Sequence, residues 1–307
     1  MTSPHIAVIG AGLSGSACAQ LLERAGFRVT VFEKSRGSGG RLASKRIGAH
    51  TVNLGAQSLR ASSAEFREQL NDWARAGLLE VRDGEGWPLA STSKLTRALL
   101  HNVELQNEES QSVKLQNVEL MTSTHVETIQ YAAQKIALFD STQRPLGEFS
   151  AVVVSAPPAQ AEQLLRVDPV LSAQCAAASV QPAWVAVFIA PHAWPPATVL
   201  PESIARVVSR SIDGAHYWSV EASSAWSERE IEREPQWIAA QLKAALGFNE
   251  IDVLHCHRWR YARVAKPLGK PFLLRNALGV CGDWLQGNDA EAAWHSGREL
   301  ARALIAG

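Results

Sequence analysis

Several short apolar runs predict strands that are buried on both faces. Ile6–Ile9, Phe27–Phe32 and Ala151–Ser155 are almost wholly apolar, and a similar run starts at Leu278 and ends in the carboxylate of Asp283. Unbroken apolar runs of this length are typical of parallel strands that helices cover on both sides. Because such runs occur at both ends of the chain, they predict an α/β domain assembled from both ends.

Farther along, apolar and polar positions alternate, which predicts strands with one covered face. The four alternating runs are Trp184–Ala190, Arg206–Ser211, His216–Ala222 and Val253–Tyr261, and a predicted helix, Ser227–Leu246, interrupts them. They indicate an antiparallel sheet with one face against a ligand or a helix. The fold class is therefore α/β, with a second, mostly antiparallel β-sheet domain.

Apolar residues at helical spacing predict further helices at Ala64–Ala76, Lys94–His101 and Ala290–Ile305. Between the second and third of these, the residues Val103–Asn107 recur in part as Leu115–Leu120. Two partial copies are too few for a repeat architecture. The recurrence indicates a local duplication around a hairpin tip or an inserted loop.

A glycine pattern follows the first predicted strand directly. Gly10, Gly12 and Gly15 form G-x-G-x-x-G, and Leu13–Ala25 continues as a predicted helix. Gly10 allows the tight turn, Gly12 lets a pyrophosphate approach the backbone, and Gly15 lets helix and strand pack closely, so that the anion lies at the positive end of the helix. The alternative is a glycine turn without a ligand. The strand, helix and second strand in sequence favour a Rossmann-like dinucleotide site.

The second strand delivers an acid and a basic loop to its carboxyl end. Glu33 lies 18 residues after Gly15, close to the roughly 20 expected for the acid that binds an adenosine ribose. The loop Lys34–Arg41 follows, with two glycines and two arginines. Such a loop can wrap the rest of a long cofactor, with Arg36 or Arg41 opposing phosphate charge.

The composition favours small molecules as partners. Among the 307 residues, Lys plus Arg and Asp plus Glu number 30 each, and the isoelectric point is near 7.1. No global charge attracts nucleic acid or an anionic membrane. No run of 18 or more apolar residues predicts a membrane span, and no feature of the sequence sets an oligomeric state.

The cysteines and histidines indicate neither disulfides nor a metal site. Four cysteines are scattered without C-x-x-C spacing, which suits reduced thiols in a cytoplasmic protein. His255 and His257 share one face of a predicted strand, but no third ligand lies near them in the sequence. We therefore expect no bound metal and a cytoplasmic location.

The residues from Glu33 to Arg41 read E-x-x-R-x-x-G-G-R, which resembles an extension found in flavoproteins of the glutathione-reductase and amine-oxidase type. Gly282-Asp283 before a helix resembles the motif whose aspartate binds the ribityl chain. The whole chain resembles the renalase-like FAD-dependent oxidoreductases, particularly the bacterial ones. Further matching segments occur in family order: Leu54–Gln57, Ser93–Leu99, Ser155–Pro157, Pro182–Trp184, Ala225–Ser227, His257–Trp259, Tyr261–Arg263 and Glu291–Gly297.

The resemblance implies noncovalently bound FAD, a small hydride donor that is an isomeric dihydronicotinamide dinucleotide, and oxygen as the acceptor, giving hydrogen peroxide. The apolar runs at both ends and the alternating strands between them predict a discontinuous FAD-binding domain of residues 1–60, 93–165 and 272–307, and a substrate domain of residues 61–92 and 166–271. Glu33 would bind the adenosine ribose, Arg36 and Arg41 the phosphates, and Asp283 the ribityl chain. The full set of expected cofactor-binding residues is Gly10, Gly12, Leu13, Ser14, Gly15, Glu33, Lys34, Arg36, Gly40, Arg41, Gln57, Val126, Ala156, Asp283, Ala292 and Ala293.

The match with the family is weaker where the substrate is expected. Gly55-Ala56-Gln57 continues as Ser58-Leu59 where the family has Tyr-Phe, and Glu221 occupies a position where the family has histidine. The candidates for residues near the flavin are Gln57, Glu221 and Trp284, and no catalytic base is evident. Glu221 is either a solvated carboxylate or a specificity residue that disfavours the polyphosphate of a dinucleotide.

Three functions remain open from the residues alone. The first is a flavin oxidase or dehydrogenase acting on a reduced nicotinamide or a comparable donor, which needs orientation more than acid–base groups. The second is an amine or amino-acid oxidase. The third is a FAD-binding protein without turnover that binds its ligand as a sensor.

Overall fold

A computed structural model of the chain describes residues 3–101, 118–195, 199–212 and 214–307. Most of the partial repeat predicted in residues 103–120 lies outside these residues. The chain forms two compact units by its contacts: the first is Met1–Ala43, Ser58–Ser179 and Val264–Gly307, and the second is Ser44–Gln57 and Val180–Arg263. These units divide the chain differently from the predicted domains, chiefly at 44–57, 61–92 and 166–179.

The helices of the described residues are α1 (Leu13–Arg24), α2 (Ala64–Arg75), α3 (Ser93–His101), α4 (Pro158–Leu164), α5 (Pro169–Ala176), α6 (Ser224–Arg229), α7 (Pro235–Leu246) and α8 (Ala290–Ala306). The strands are β1 (His5–Ile9), β2 (Arg28–Phe32), β3 (Ser44–Ile47), β4 (His50–Asn53), β5 (Leu59–Arg60), β6 (Leu79–Arg82), β7 (Glu85–Pro88), β8 (Val118–Met121), β9 (Val126–Ala132), β10 (Lys135–Asp140), β11 (Pro145–Phe149), β12 (Ala151–Val154), β13 (Ser179–Ala190), β14 (Ile204–Ile212), β15 (Ala215–Ala222), β16 (Asp252–Lys266), β17 (Leu273–Arg275) and β18 (Leu278–Val280).

A six-stranded sheet forms the core of the first unit, in the order β17-β18-β12-β1-β2-β8. All neighbours are parallel except β17, which pairs antiparallel with β18. The central strands are completely buried at Val8, Val31 and Val153, as their unbroken apolar runs require. Both ends of the chain thus enter one sheet, which confirms the predicted α/β fold.

Helices α1 and α8 pack against each other on this sheet at very short range. A Cβ at Gly297 of α8 would lie 2.0 Å from the carbonyl oxygen of Ser14 on α1. Leu300 of α8 packs equally closely against β18, since a Cβ at Gly279 would lie 2.8 Å from the Leu300 side chain. The absence of side chains at these glycines therefore sets the depth at which α8 lies over the sheet.

The second unit contains a four-stranded antiparallel sheet in the order β14-β15-β13-β16, together with the hairpin β3-β4. One face of the sheet carries an apolar core in which Trp184, Phe188 and Trp218 pack with Ile238 and Leu242 of α7. The opposite face carries the alternate residues of each strand. This arrangement confirms the second, antiparallel sheet predicted from alternation.

The predicted helix Ser227–Leu246 is wrong as a single element, because the chain forms α6 and α7 with a break between them. Pro235 begins α7, and the preceding Glu234 has an extended backbone with ψ of 141°. Proline restricts its predecessor to extended conformations and suits the first position of a helix. The sequence at Pro235 therefore indicates the start of a separate helix.

Candidate functional site

Two glycines of the turn between β1 and α1 are required by the packing of the protein itself. Gly10 has a φ of +104°, and a Cβ there would lie 2.3 Å from the carbonyl oxygen of Ser155. A Cβ at Gly15 would lie 2.1 Å from the carbonyl oxygen of Gly10. Neither position accepts a side chain, because backbone atoms occupy the space. Their roles in the turn and in helix–strand packing agree with the predicted ones.

Gly12 differs, because nothing in the protein excludes a side chain there. Its backbone is extended, and a Cβ would find its nearest neighbour, the Cα of Gly40, at 3.9 Å. Gly12 is also the N-cap of α1 and provides no side-chain cap for the first amides of the helix. The open space lies at the positive end of a helix, where an anion is stabilised. The geometry of this turn fits a pyrophosphate.

The two residues that follow, Leu13 and Ser14, form the first turn of α1 and are 6% and 4% exposed. Ser14 Oγ is buried and lies within hydrogen-bonding reach of the Cys281 thiol. The predicted contribution of this turn to cofactor binding stays a prediction.

Glu33 lies at the carboxyl end of β2 and is 7% exposed. Its Oε2 accepts a hydrogen bond from Ala11 N at 2.9 Å, and its Oε1 accepts one from Ser35 N at 2.8 Å. The carboxylate therefore holds the glycine turn and the start of the following loop together. Each oxygen keeps a second lone pair for the predicted ribose hydroxyls. No sequence pattern predicts the bond to Ala11, because this bond depends on the geometry of the turn.

The loop after Glu33 joins the glycine turn to the C-terminal part of the chain. Gly39 N donates to Ala11 O at 2.9 Å, and Arg41 forms an ion pair with Asp283, which is 3% exposed. Arg41 and Asp283, both predicted cofactor residues, thus meet at one place beside Gly40 and Gly12. Lys34 and Arg36 are exposed, and Lys34 Nζ donates to Gln160 at 3.3 Å.

Two predicted residues, Val126 and Trp284, are buried by contacts inside the protein. Val126 on β9 is 2% exposed. It follows β8, whose last residue, Met121, accepts a backbone hydrogen bond from Glu33 N at 2.9 Å. Trp284 is 1% exposed, and its Nε1 donates to Ala156 O at 3.0 Å. Trp284 and Ala156 therefore join the end of β18 to the end of β12, and their contact with a cofactor stays a prediction.

The N-terminus of α8 is capped by a residue that sequence reasoning missed. Asp289 Oδ1 accepts from Ala292 N at 2.7 Å, and Ala293 N donates to Asp289 O at 3.2 Å. Aspartate before a helix is a common N-cap, so the signal was present. The predicted binding of the cofactor by Ala292 and Ala293 stays a prediction, and through their amides it would have to share these donors with Asp289.

A second carboxylate at the same end of α8 was also missed. Glu291 Oε2 accepts from Ser62 N and Ser62 Oγ, and its Oε1 accepts from Ser63 N, all at 2.7 Å. Burial opposes the charge, but the hydrogen bonds from Ser63 and Ser62 outweigh it and lower the pKa of Glu291 to about 2. This ionised group fixes the segment before α2 to the first turn of α8.

In the second unit, Gln57 and Ser219 line a small cleft on the open face of the sheet. Gln57 is 4% exposed, and its Nε2 lies 2.9 Å from Asn53 O, 3.1 Å from Gly55 O and 3.2 Å from Ser219 Oγ. The cleft holds about 300 Å³ including its open mouth, and its lining residues are Thr51, Val52, Asn53, Gln57, Val187, Val208, Arg210, Ile212, Tyr217 and Ser219. Gln57 thus holds its own turn against the sheet and presents polar atoms to the cleft.

Glu221 lies on the same face and is 9% exposed. Its carboxylate accepts from Arg263 at 2.6, 2.7 and 2.8 Å and from Arg206 at 2.9 Å. The interpretation as a solvated carboxylate is therefore wrong. The proposed repulsion of a polyphosphate also loses its basis, because two guanidinium groups oppose the charge.

The surroundings of His255 and His257 on β16 favour the neutral form of each side chain. Burial, together with smaller contributions from His255 and Lys45, lowers the pKa of His257 to about 4. Burial also lowers the pKa of His255, whose Nε2 lies 3.4 Å from Lys45 Nζ. Among the described residues, no three His, Cys, Asp or Glu side chains form a group that could hold a metal ion.

Comparison with known proteins agrees with the fold and with the turn. Residues 8–73 match the NAD(P)-binding Rossmann-like domain. The structure is similar over 99% of the chain to an oxidoreductase from Methanosarcina mazei, covering 100% of it (TM-score 0.66, 14% identity). It is also similar over 99% of both chains to cyclohexylamine oxidase from Brevibacterium oxydans IH-35A (TM-score 0.67, 13% identity). The chain therefore has the fold of the amine-oxidase-like FAD/NAD(P)-binding oxidoreductases.

One curated relative matches a short segment at high identity. YobN of Bacillus subtilis (strain 168), whose name assigns it to the L-amino-acid oxidases, is 57% identical over 42 residues. The match spans 14% of this chain and 9% of the relative's length.

No helix in the described ranges is both long and apolar enough to cross a membrane.

Proposed function

We propose that this protein is a FAD-dependent oxidoreductase of the renalase-like kind, which takes a hydride from an isomeric dihydronicotinamide dinucleotide and uses oxygen as the acceptor. The first unit would bind the cofactor and the second would bind the donor. A cytoplasmic location is part of the proposal and is supported by four cysteines that are all free and buried.

The single observation that carries the cofactor assignment is the contrast among the three glycines of the turn. Backbone oxygens at 2.3 and 2.1 Å exclude a side chain at Gly10 and Gly15, whereas Gly12 faces open space with its nearest neighbour at 3.9 Å. The protein's own packing therefore gives no reason for glycine at position 12. A phosphate that must approach the backbone closely gives one.

The loop after Glu33 supports FAD over a plain nicotinamide dinucleotide. It brings Arg41 to Asp283, two residues 242 positions apart in the sequence. The polar groups of the site thus continue from the glycine turn, past the loop, to the N-terminal side of α8. A cofactor longer than an adenosine diphosphate is needed to use all of them, and the resemblance of this loop to the E-x-x-R-x-x-G-G-R extension of flavoproteins favours FAD.

When bound, FAD would supply the hydride acceptor and the redox chemistry by which two electrons reduce oxygen to hydrogen peroxide. The residues of this chain would hold and orient it: Glu33 at the ribose, the first amides of α1 at the pyrophosphate, and Arg41 with Asp283 farther along. The absence of an evident catalytic base suits a donor that already carries a labile hydride, because orientation and exclusion of water are then the main requirements.

The cofactor assignment is tested with Gly12→Ala and a matched control, Gly37→Ala. A Cβ at Gly37 meets no atom within 4 Å and the residue lies in the neighbouring loop, so both variants should fold. Gly12→Ala should purify without the yellow colour of bound flavin, because its methyl group fills the space of the phosphate. A full complement of FAD in Gly12→Ala, measured from absorbance after denaturation, would refute the assignment.

The donor is tested by anaerobic mixing of the flavin-loaded protein with candidate reductants. Bleaching of the flavin absorbance by isomeric dihydronicotinamide dinucleotides, followed by peroxide formation on admission of air, is the expected result. The names of cyclohexylamine oxidase and YobN favour amines or amino acids as the second candidate. Bleaching by those compounds alone would select it, and no bleaching would indicate a binding protein without turnover.

A further inference from the structure

The cluster around Glu221 contains two guanidinium groups and one carboxylate, so that one positive charge is not balanced within the cluster. Arg263 of β16 already engages the carboxylate with Nε and Nη2, at 2.6 to 2.8 Å. Arg206 of β14, directly opposite Glu221 in the sheet register, adds a second guanidinium at 2.9 Å. Two arginines on one carboxylate leave a net charge of one positive unit, and like charges side by side are unfavourable unless an anion joins them.

The exposure of the three side chains shows where that anion would bind. The side chain of Glu221 is 12% exposed, whereas those of Arg206 and Arg263 are 43% and 38% exposed. The carboxylate thus lies beneath two guanidinium groups that reach solvent. In the part of the chain that the structure describes, Glu221 is the partner of both, and Nη1 of each is left for another acceptor.

The cleft lies on the same face of the sheet, farther along β14. Arg210 follows Arg206 on the same face of β14, about 13 Å along the strand, and lines the cleft with Asn53, Gln57 and Ser219. Near Glu221 this face therefore carries two guanidinium groups and one carboxylate, beside apolar residues that include Val187, Ile212 and Tyr217. Such a face attracts an anionic molecule and disfavours a protonated amine.

We propose that Arg206 and Arg263, held in place by Glu221, bind the acidic group of the hydride donor, a phosphate or a carboxylate. This inference rests on the proposed function and deepens it, since it names the charge of the donor and the residues that select it. Glu221 is a positioning residue: it fixes two planar guanidinium groups, which bind oxyanions with two parallel hydrogen bonds. A purely structural role would need only one arginine, and buried ion pairs contribute little net stability.

The test is calorimetric titration of the flavin-loaded protein at low salt with inorganic pyrophosphate, inorganic phosphate and succinate. The wild type should bind at least one of them. Arg206→Gln and Arg263→Gln should each weaken that binding by about tenfold or more, the effect of one lost charge-assisted hydrogen bond. Tighter binding of the phosphates would identify a phosphate group, and tighter binding of succinate a carboxylate.

Arg260→Gln is the matched control, because Arg260 lies on the same strand but pairs with the exposed Glu232 at 2.7 and 3.0 Å. It should change the affinity by less than about twofold. Arg206→Lys and Arg263→Lys keep the charge and should still weaken binding, because lysine lacks the planar fork. The lysine variants carry the test if either glutamine variant fails to fold by circular dichroism.

Absence of binding by the wild type, or equal binding by the wild type and the Arg206→Gln Arg263→Gln double variant, would overturn the inference. Neither result depends on turnover. Failure of the proposed function would show separately, as missing flavin or as flavin that no donor bleaches. If the protein binds an anion through these arginines but no donor bleaches its flavin, the anion site stands and the proposed oxidoreductase function is refuted.

Discussion

Replacing Glu33 with glutamine separates its role in the fold from its role toward the cofactor. The carboxylate is 7% exposed and accepts two backbone hydrogen bonds, from Ala11 N at 2.9 Å and from Ser35 N at 2.8 Å. A glutamine side chain has one acceptor oxygen, so one of these amides would face an NH₂ group. Either the buried Ala11 N or the partly buried Ser35 N is then unsatisfied, and the other loses a charged acceptor.

The expected cost follows from these two bonds. A hydrogen bond to a charged group contributes about 1.5 to 3 kcal/mol, and a buried unsatisfied donor costs about 1 to 3 kcal/mol. We therefore expect Glu33→Gln to lower the free energy of unfolding of the cofactor-free protein by about 2 to 4 kcal/mol. FAD binding should weaken by a further 1 to 3 kcal/mol, roughly, through the lost ribose contacts.

Urea unfolding of the cofactor-free proteins, followed by tryptophan fluorescence, measures the first quantity, and fluorescence titration with FAD measures the second. Glu119→Gln is the control: Glu119 is 58% exposed and lies 4.0 Å from Arg28, so its loss should change stability by less than about 0.5 kcal/mol. An unfolding free energy of Glu33→Gln equal to that of the wild type would refute the structural role. Unchanged FAD affinity would remove Glu33 from the ribose.

Two further predictions concern α8. Glu291 has a pKa of about 2 in the folded protein, below its ordinary value of 4.5; its contribution is therefore present above pH 4.5 and is lost as the pH falls toward 2. Acid titration of stability should show this loss, of about 2 to 3 kcal/mol, in the wild type, and a flatter profile in Glu291→Gln would confirm it. Gly297→Ala should destabilise the protein by about 3 kcal/mol or more, because its Cβ would meet Ser14 O at 2.0 Å; an unchanged melting temperature in a thermal scan would contradict the close packing of the two helices.

The sequence by itself determined what depends on neighbouring residues. The unit from β1 through α1 to β2, with Gly10, Gly12, Gly15 and Glu33, is local in the chain, and apolar runs, glycine turns and acid spacing predict it directly. Alternation likewise predicted the second sheet, since a strand with one covered face has period two. Both predictions are confirmed by the strands and pairings of the structure.

Only the tertiary structure decided which distant residues meet. The pairing of Arg41 with Asp283 joins positions 242 apart. The partners of Glu221 on β15 come from the neighbouring strand β14 and from β16, which lies beyond β13. A periodic pattern shows which face of a strand is covered but not which strand lies beside it. Sheet order is set by packing across the whole domain, so the charge that Glu221 presents could be known only once its neighbours were in place.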